Sequence, residues 1–278
     1  YDCTEEMIQN DLYKNIEKHL ESILDIERLG RRLFLGSLHP YELANLMDSF
    51  NEIDNLHKLI IGTNHNKKYK LEDIILKQST EFLAMCNKTF AYEELKKQNL
   101  TEITASFFKK GVHLQIDELD DKVVNNIKVM EEVGLALSNY AYDAKSKPSP
   151  TSVKLKKNNR DGYYLALTNK RGEMLRNNIK ELKTIKVSET LSIDPNKLLI
   201  KDAEPAKSGK IADTKIFFAD LNSKSDNAIS LKEKMIAIIK KKYLDLLAEF
   251  GHKYKDMFRQ LSHFIAQIDF IKSNTKTA

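Results

Sequence analysis

Glycine and proline are scarce in this sequence, which has only 9 Gly and 5 Pro among 278 residues. An all-β chain rich in turns needs more of both, so their scarcity argues against that class. Charged residues make up 31% of the chain, which suits long helices with solvated faces. We therefore expect a mainly α-helical protein, with a length that allows one large domain or two modest ones.

Cysteines and long apolar runs are also few. Cys3 and Cys86 form neither a disulfide framework nor a CxxC metal-ligand pair, so we expect two reduced thiols in an intracellular protein. No apolar run approaches the ~18 residues of a membrane span, which excludes a transmembrane helix and predicts a soluble chain. The first residues contain neither an initiating Met nor a signal peptide, which indicates a piece of a larger protein.

Motifs of catalysis are missing as well. A P-loop requires G-x-x-x-x-G-K-[ST], but Gly209-Lys210 is followed by Ile211, and Glu204 stands in the place of the first glycine. There is no HExxH, G-x-S-x-G or G-x-G-x-x-G motif. His252 and His263 have no Cys or carboxylate pair arranged beside them, so we interpret both as structural. We therefore predict no catalytic residue, metal or cofactor in this chain, which is not itself an enzyme.

Apolar residues recur at three- and four-residue steps in the first third of the chain, which predicts amphipathic helices. The first is expected from Glu5 to about Leu29. Pro40 opens the next, which covers about Tyr41 to Ile61, because proline is tolerated in the first helical turn. A polar loop at Gly62 to Lys68 precedes a helix from Leu71 to about Phe90. These segments predict an all-helical core.

Two longer helices follow. Asp117 is the predicted N-cap of a helix whose apolar stripe continues to Ala141. The C-terminal segment predicts a helix from about Ile229 to Ile271, on the order of 60 Å long, which we expect to project from the core. Its apolar steps average ~3.5 residues, as in a coiled-coil seam. The stripe consists of Ile236, Ile239, Tyr243, Leu246, Phe250, Tyr254, Met257, Leu261, Phe264, Ile268 and Ile271.

The segment between the two long helices has a different pattern. Gly162 follows four polar residues and predicts a β-hairpin turn. We expect a small mixed α/β domain at 147–225, inserted between an outgoing helix that ends the segment 1–146 and a returning helix in 226–278. The β-like runs are Ser152 to Lys156, Tyr163 to Thr168, Thr184 to Val187 and Lys215 to Ala219.

Basic residues concentrate in this insert. The whole chain has a formal net charge of +5, but Thr151 to Lys186 contains ten basic and three acidic residues, so the remainder is slightly acidic. If the flanking helices pair antiparallel, the insert presents these cations at the end of a helical arm. A lysine-rich face is ordinarily only a solvated surface, so the position of the charge, more than its amount, suggests a polyanionic partner.

Four segments resemble the lever and clamp regions of the MutS family of DNA mismatch repair proteins. Ile23 to Leu43 is similar to the family's D-[LI]-E-R-L…R…P-x-[DE]-L stretch, and Asn159 to Leu165 resembles the N-x-x-x-G-Y-[YF]-[IL] clamp hairpin with a one-residue difference in spacing. Lys215 to Leu221 looks like the strand-to-helix return from the clamp, and Ile265 to Ile271 resembles I-A-x-L-D. Gly30 departs from the pattern, because the family has an apolar residue there. A segment that is longer than usual, 184–209, is another departure.

The resemblance implies a helical core with long antiparallel lever helices and a small α/β clamp inserted at the tip. It implies a fragment that grips the backbone of double-stranded DNA without reading sequence and is coupled to an ATPase domain outside this chain. ATP and Mg would belong to that full-length parent, which would act as a homodimer or heterodimer, inside the cell with DNA and not at a membrane. The composition suits a divergent branch, such as the homologues of giant viruses or octocoral mitochondria.

Long cationic side chains on a rigid platform displace counterions from DNA, so the basic residues of the clamp are the candidate phosphate contacts. Tyr163 and Tyr164 are interpreted as clamp core and not as stacking platforms, because adjacent strand residues face opposite sides and at least one must point inward. Five charged residues near the first helix end are expected to form ion pairs on a helix surface: Asp25, Glu27, Arg28, Arg31 and Arg32. The candidate DNA contacts are Asn169, Lys170, Arg171, Arg176, Lys180, Lys210 and Lys215.

One alternative belongs to another class of function. The stripe from Ile236 to Ile271 could instead recruit a partner chain, as in a coiled-coil interaction or scaffold protein with no nucleic-acid role. This reading requires an obligate oligomer that associates through the stripe.

Overall fold

The structure is a computed structural model that describes residue 8 and residues 12–63, 66–142, 149–202 and 213–277. The chain divides into two compact units, of which unit 1 comprises Tyr1–Ile116 and Ile236–Ala278 and unit 2 comprises Asp117–Met235. Helix accounts for 66% of the structure and is accompanied by a small antiparallel sheet. The predicted mainly α fold with a small α/β part is therefore confirmed.

Unit 1 is helical, as its apolar periodicity predicts. Pro40 is the first residue of α3, which confirms the predicted helix start. The single helix predicted from Glu5 to Leu29 is wrong, because the side chain of Asp25 accepts a hydrogen bond from the backbone N–H of Arg28 at 2.9 Å and caps a new helix. The helices are α1 (Leu12–Ser22), α2 (Ile26–Phe34), α3 (Pro40–Ile61), α4 (Asn66–Tyr69), α5 (Asp73–Thr89), α6 (Tyr92–Leu95) and most of α9 (Ala219–Thr277). Helix α4 lies where we predicted a polar loop.

Aromatic rings fill the centre of unit 1. Phe82 is fully buried, and its ring centroid lies 5.2 Å from that of Phe250, 5.3 Å from Tyr254 and 5.9 Å from Phe258. Because three of these four rings come from α9, the stripe of α9 packs against α5 of its own chain. On α5 itself, Ile74 is 54% exposed and lies outside this core.

A buried carboxylate stabilises the entry to α3. Glu42, which is only 6% exposed, pairs with Arg32 Nη1 at 2.5 Å and accepts a hydrogen bond from the backbone N–H of His39 at 2.9 Å. Arg32 therefore does not form the surface ion pair that we predicted. Arg28 and Asp25 do form an exposed pair, at 4.0 Å.

The described part of unit 2 combines helical segments from α7, α8 and α9 with a four-stranded and a two-stranded antiparallel sheet. Helix α7 begins at Leu114, so the prediction of Asp117 as N-cap is wrong and this residue lies in the first turn. Helices α7 and α9 run antiparallel within the unit. Met130 of α7 and Leu221 of α9 line one small cavity, whereas Asp120, earlier on α7, lies close enough to Lys232, later on α9, to affect the pKa of Lys232. The elements are α7 (Leu114–Ser138), β1 (Lys154–Asn158), β2 (Gly162–Leu167), α8 (Asn169–Ile179), β3 (Ile185–Lys186), β4 (Ser192–Ile193), β5 (Leu199–Lys201), β6 (Thr214–Phe217) and the first part of α9.

Helix α9 is longer than the predicted Ile229 to Ile271, since it covers Ala219–Thr277. The predicted stripe is buried at nearly every position. Leu246 is an exception, because Leu247 is fully buried in its place while Leu246 is only partly buried. The four predicted β-like runs correspond to β1, β2, β3 and β6.

Candidate nucleic-acid interface

The four-stranded sheet of unit 2 has strand order β1-β2-β6-β5, with all neighbours antiparallel, and β3 and β4 form a separate antiparallel pair. We call the four-stranded one simply the sheet. Since side chains alternate between faces, its inner face carries Leu165, Leu167 and Ile216, which are buried with Leu137 of α7 and Leu221 of α9. This shared apolar core fixes the sheet to both helices.

The β1–β2 hairpin is anchored to α9. Gly162 has a φ of +66°, a conformation that favours glycine, and a Cβ at this position would lie 2.7 Å from Ser225 Oγ. The neighbouring backbone N–H of Tyr163 donates a hydrogen bond to the same Ser225 Oγ at 2.8 Å. Glycine is therefore required here for both the turn and the close approach of the hairpin to α9.

Helix α8 packs on the inner face of the sheet. Leu175 and Ile179 join the apolar core, and Gly172 allows close contact, since a Cβ there would lie 3.0 Å from Thr214 Oγ1. At the other end of α8, the Asn178 amide donates hydrogen bonds to the carbonyls of Tyr140 and Tyr142, both at 2.8 Å. The helix is thus held in place along its length.

Cations lie on the sides of α8 that do not face the core: by the helical repeat Lys170 is opposite the core residues, and Arg171 and the C-cap residue Lys180 lie on its two flanks. Lys170 and Lys180 are exposed and Arg171 is partly exposed. None of the three forms an ion pair with another residue in the described part of the chain. None of the residues in the first turn of α8 is acidic. We call Asn169, Lys170, Arg171 and Lys180 the helix surface.

Two other predicted DNA contacts already have carboxylate partners. Arg176 lies 2.7 Å from Asp202 and donates to the carbonyl of Ile200, and the hydrogen bond from Arg176 is the main reason that the pKa of Asp202 is lowered. Lys215 pairs with Asp161 and likewise lowers the pKa of that carboxyl. Arg176 thus connects α8 to the end of β5, and Lys215 connects β6 to the hairpin turn.

Of the remaining predicted contacts, Asn169 lies beside Thr214, whose hydroxyl is 2.9 Å from both Asn169 Oδ1 and Asp202 Oδ1 and can donate its one proton to either. Lys210 lies outside the residues that the structure describes.

The outer face of the sheet carries a second group of cations, arranged beside aromatic rings. The rings of Tyr164 and Phe217 lie side by side with centroids 6.4 Å apart and planes inclined by 30°. Lys215 lies over the Tyr164 ring at 4.8 Å, and Lys201 over the Phe217 ring at 5.9 Å. We call Lys154, Lys156, Tyr164, Lys201, Lys215 and Phe217 the sheet surface.

Comparison with known proteins identifies the family. A family model described as MutS domain III matches residues 1–274. The chain belongs to the MutS domain III family. This match confirms the predicted resemblance, and domain III is a non-catalytic part of MutS proteins, which fits our expectation for this fragment.

Two curated relatives of this MutS domain III chain have names that refer to DNA mismatch repair. A MutS homologue of Acanthamoeba polyphaga mimivirus is 29% identical over 285 residues, which cover 100% of this chain and 25% of the relative. The MutS protein of Petrotoga mobilis is 20% identical over 262 residues, or 94% of this chain and 27% of the relative. The chain thus spans about a quarter of the length of these relatives.

Sequence reasoning did not find the sheet surface of this MutS domain. Tyr163 does pack on the core, as predicted, but Tyr164 faces outward, so its interpretation as a core residue is wrong. The strand register pairs Ala166 with Lys215 and Lys215 with Lys201. The grouping of these lysines on one face follows from that register. Strand β5 has three residues and no clear apolar alternation, so its register could not be predicted from its residues.

Other kinds of site have little support in the described ranges. No group of three or more His, Cys, Asp or Glu residues there could hold a metal ion. Within the same ranges, every helix is too short or too polar to cross a bilayer. His252 and His263 are both exposed on α9.

Proposed function

We propose that this chain is the lever-and-clamp part of a MutS-family mismatch repair protein, and that unit 2 grips the backbone of duplex DNA through the helix surface. The observation that carries this proposal is that three cations, two in the first turn of α8 and one at its C-cap, have no carboxylate partner among the described residues. Two other predicted contacts of the insert, Arg176 and Lys215, are already engaged in ion pairs.

The helix surface has the chemistry that phosphate groups require. Lys170 and Arg171 are in the first turn of α8, beside backbone N–H groups that have no partner within the helix. A helix N-terminus favours anions, and long cationic side chains beside it add a further attraction. These contacts would position the protein on DNA without reading bases, because they are directed at phosphates.

The rigidity of α8 supports the proposal. Leu175 and Ile179 are buried in the core, and Asn178 fixes the end of the helix to the segment that follows α7. Cations on a fixed helix lose less conformational freedom on binding than cations on a mobile loop. We infer that the ordered core of unit 2 serves to hold this surface in one orientation.

The role of the whole protein is part of the same proposal. The mimivirus and Petrotoga relatives are about four times as long as this chain, so an ATPase domain and a second subunit would be supplied from outside it. Helix α9 contributes residues to both units. We propose that it transmits changes at the missing ATPase domain to the clamp.

The alternative of a coiled-coil scaffold loses its main support. Tyr243, Phe250, Tyr254 and Met257, which belong to the stripe that a partner would need, are all fully buried by this chain itself. The stripe is therefore a core feature of unit 1.

The test is a charge reversal with a matched control. The variant Lys170→Glu/Arg171→Glu/Lys180→Glu removes three cations of the helix surface, and Lys240→Glu/Lys241→Glu/Lys242→Glu makes the same charge change on exposed residues of unit 1. Affinity for a labelled duplex is measured by fluorescence anisotropy at low salt. We expect the first variant to bind at least roughly tenfold more weakly than the control variant. An equal loss of duplex affinity in both variants would refute the proposed surface, because the net charge of the chain would then be enough to explain the binding.

A further inference from the structure

The outer face of the unit 2 sheet combines two rows of side chains that the duplex-binding proposal does not use. One row crosses the sheet from Lys154 through Ala166 and Lys215 to Lys201. The adjacent row begins with the pair Lys156 and Tyr164 and ends with the pair Phe217 and Leu199. Lysines thus predominate in the first row, and the second row contains the two aromatic rings. The two rows are two residues apart along each strand.

The spacing of the rows suits a nucleotide chain. Two residues along a strand correspond to about 6.6 Å, and neighbouring strands are about 4.8 Å apart. Phosphates could therefore follow the row of lysines while the attached bases reach the adjacent rings. Tyr164 and Phe217 are partly exposed on the outer face. A base can reach a ring from the solvent side once the lysine side chain over that ring, Lys215 or Lys201, turns toward a phosphate.

Charge favours a polyanion on this face. The face carries four lysines, of which two are paired with carboxylates: Lys156 with Asp213 and Lys215 with Asp161. The other two lysines are Lys154 and Lys201. Lys154 and Lys201 are exposed and form no ion pair with a described residue. The face therefore has two lysines that a phosphate can bind without breaking an existing ion pair.

Rings beside cations distinguish a single strand from a duplex. Aromatic side chains stack on bases of any sequence, but only where the bases are unpaired, because a duplex keeps its bases stacked inside the helix. The helix surface lacks aromatic residues, since the residues of α8 include no Phe, Tyr or Trp. The two surfaces thus differ in chemistry, and they lie on opposite sides of the sheet because α8 packs on its inner face.

We propose that the sheet surface is a binding site for single-stranded nucleic acid, with Tyr164 and Phe217 stacking on bases and Lys154 and Lys201 contacting phosphates. This site is independent of the proposed grip on duplex DNA, so either proposal can fail alone. A clamp with both surfaces could hold a duplex on one side while it engages an unpaired strand on the other.

The experiment measures binding of a fluorescein-labelled oligothymidylate of about 12 nucleotides, within the range of site sizes for single-strand binders, by fluorescence anisotropy. We expect Tyr164→Leu and Phe217→Leu each to weaken binding roughly five- to 100-fold, because each removes a stacking ring. Tyr164→Phe keeps the ring and should bind as the unmodified chain does. Duplex affinity should change by less than about twofold in Tyr164→Leu.

A second measurement avoids changes to the packed rings. Lys154→Gln/Lys201→Gln alters only exposed side chains, and it should reduce the salt dependence of oligothymidylate binding by about 1.4 in the log–log slope, since each single-strand phosphate contact contributes ~0.7. An unchanged slope, or equal loss of binding in Tyr164→Leu and Tyr164→Phe, would overturn the proposal. A face that bound an acidic peptide and not the oligonucleotide would overturn it as well.

Discussion

Gly30 occupies a position at which one added methyl group should destabilise unit 1. A Cβ built on Gly30 would lie 2.9 Å from Phe258 Cδ1 and 3.3 Å from its Cγ, closer than side chains normally approach. Phe258 cannot turn aside easily, since it is 2% exposed and its ring lies 5.6 Å from Phe34 and 5.4 Å from Phe50. Gly30 thus allows α2 to approach α9 closely, which explains the departure from the family pattern.

The expected magnitude follows from two opposing effects. Replacing a helical glycine by alanine contributes about 0.5–1 kcal/mol, whereas inserting a methyl group into a packed core costs about 1–3 kcal/mol. Gly30→Ala should therefore lower the free energy of unfolding by about 1 kcal/mol on balance. Gly251→Ala is the matched control, because its Cβ would lie 3.4 Å from Phe34 Cδ1, at the edge of ordinary contact, and should gain about 0.5 kcal/mol.

Thermal unfolding followed by circular dichroism separates the two variants. Because ~1 kcal/mol shifts the Tm by about 2–4 °C in chains of this size, Gly30→Ala should melt several degrees below Gly251→Ala. Adding Phe258→Leu should remove the penalty of Gly30→Ala, since the double mutant relieves the contact. A Gly30→Ala variant as stable as Gly251→Ala, or a penalty that persists without the Phe258 ring, would refute this explanation.

Three further predictions concern single residues. Burial raises the pKa of the Cys86 thiol. In a Cys3→Ser variant, Cys86 should therefore resist a thiol reagent in the native state and react after unfolding. Rapid labelling of the native protein would contradict the burial of Cys86. Burial lowers the pKa of His57 below its ordinary 6.5, so the unfolded ring binds more protons and the free energy of unfolding falls as pH drops through 6.5. Urea titrations from about pH 7 to about pH 5 should therefore show a smaller decline in the free energy of unfolding for His57→Leu than for the unmodified chain. An equal decline in both would exclude His57 as a cause. Gly162→Ala should destabilise unit 2, as measured by amide hydrogen exchange, because alanine disfavours the φ of +66° and its Cβ would meet Ser225, and unchanged exchange would contradict that close contact.

Local signals made part of this structure predictable. Pro40 predicted the start of α3, Gly162 predicted the hairpin turn, and the stripe of α9 predicted one long helix, because each signal acts on its own segment. The break before α2 could not be predicted in this way. The apolar pattern continues through Asp25, whose carboxylate accepts a hydrogen bond from the backbone N–H of Arg28 and caps the start of a new helix.

The candidate site was less predictable, because its state depends on partners distant in sequence. Lys215 pairs with Asp161, which lies 54 positions away, and Arg176 pairs with Asp202 on the far side of β3 and β4. The sequence shows these residues as part of a basic segment but not which cations have carboxylate partners. The outward position of Tyr164 likewise depends on strand register, which short strands specify weakly.

The salt dependence of duplex binding tests the central claim most directly. Each phosphate contact on B-DNA contributes ~0.9 to the slope of log K against log salt. Lys170→Ala/Arg171→Ala/Lys180→Ala should therefore reduce the magnitude of that slope by about 2.7, whereas Lys240→Ala/Lys241→Ala/Lys242→Ala should leave it unchanged. The same slope in the unmodified chain and in the helix-surface variant would contradict the account that this surface grips DNA.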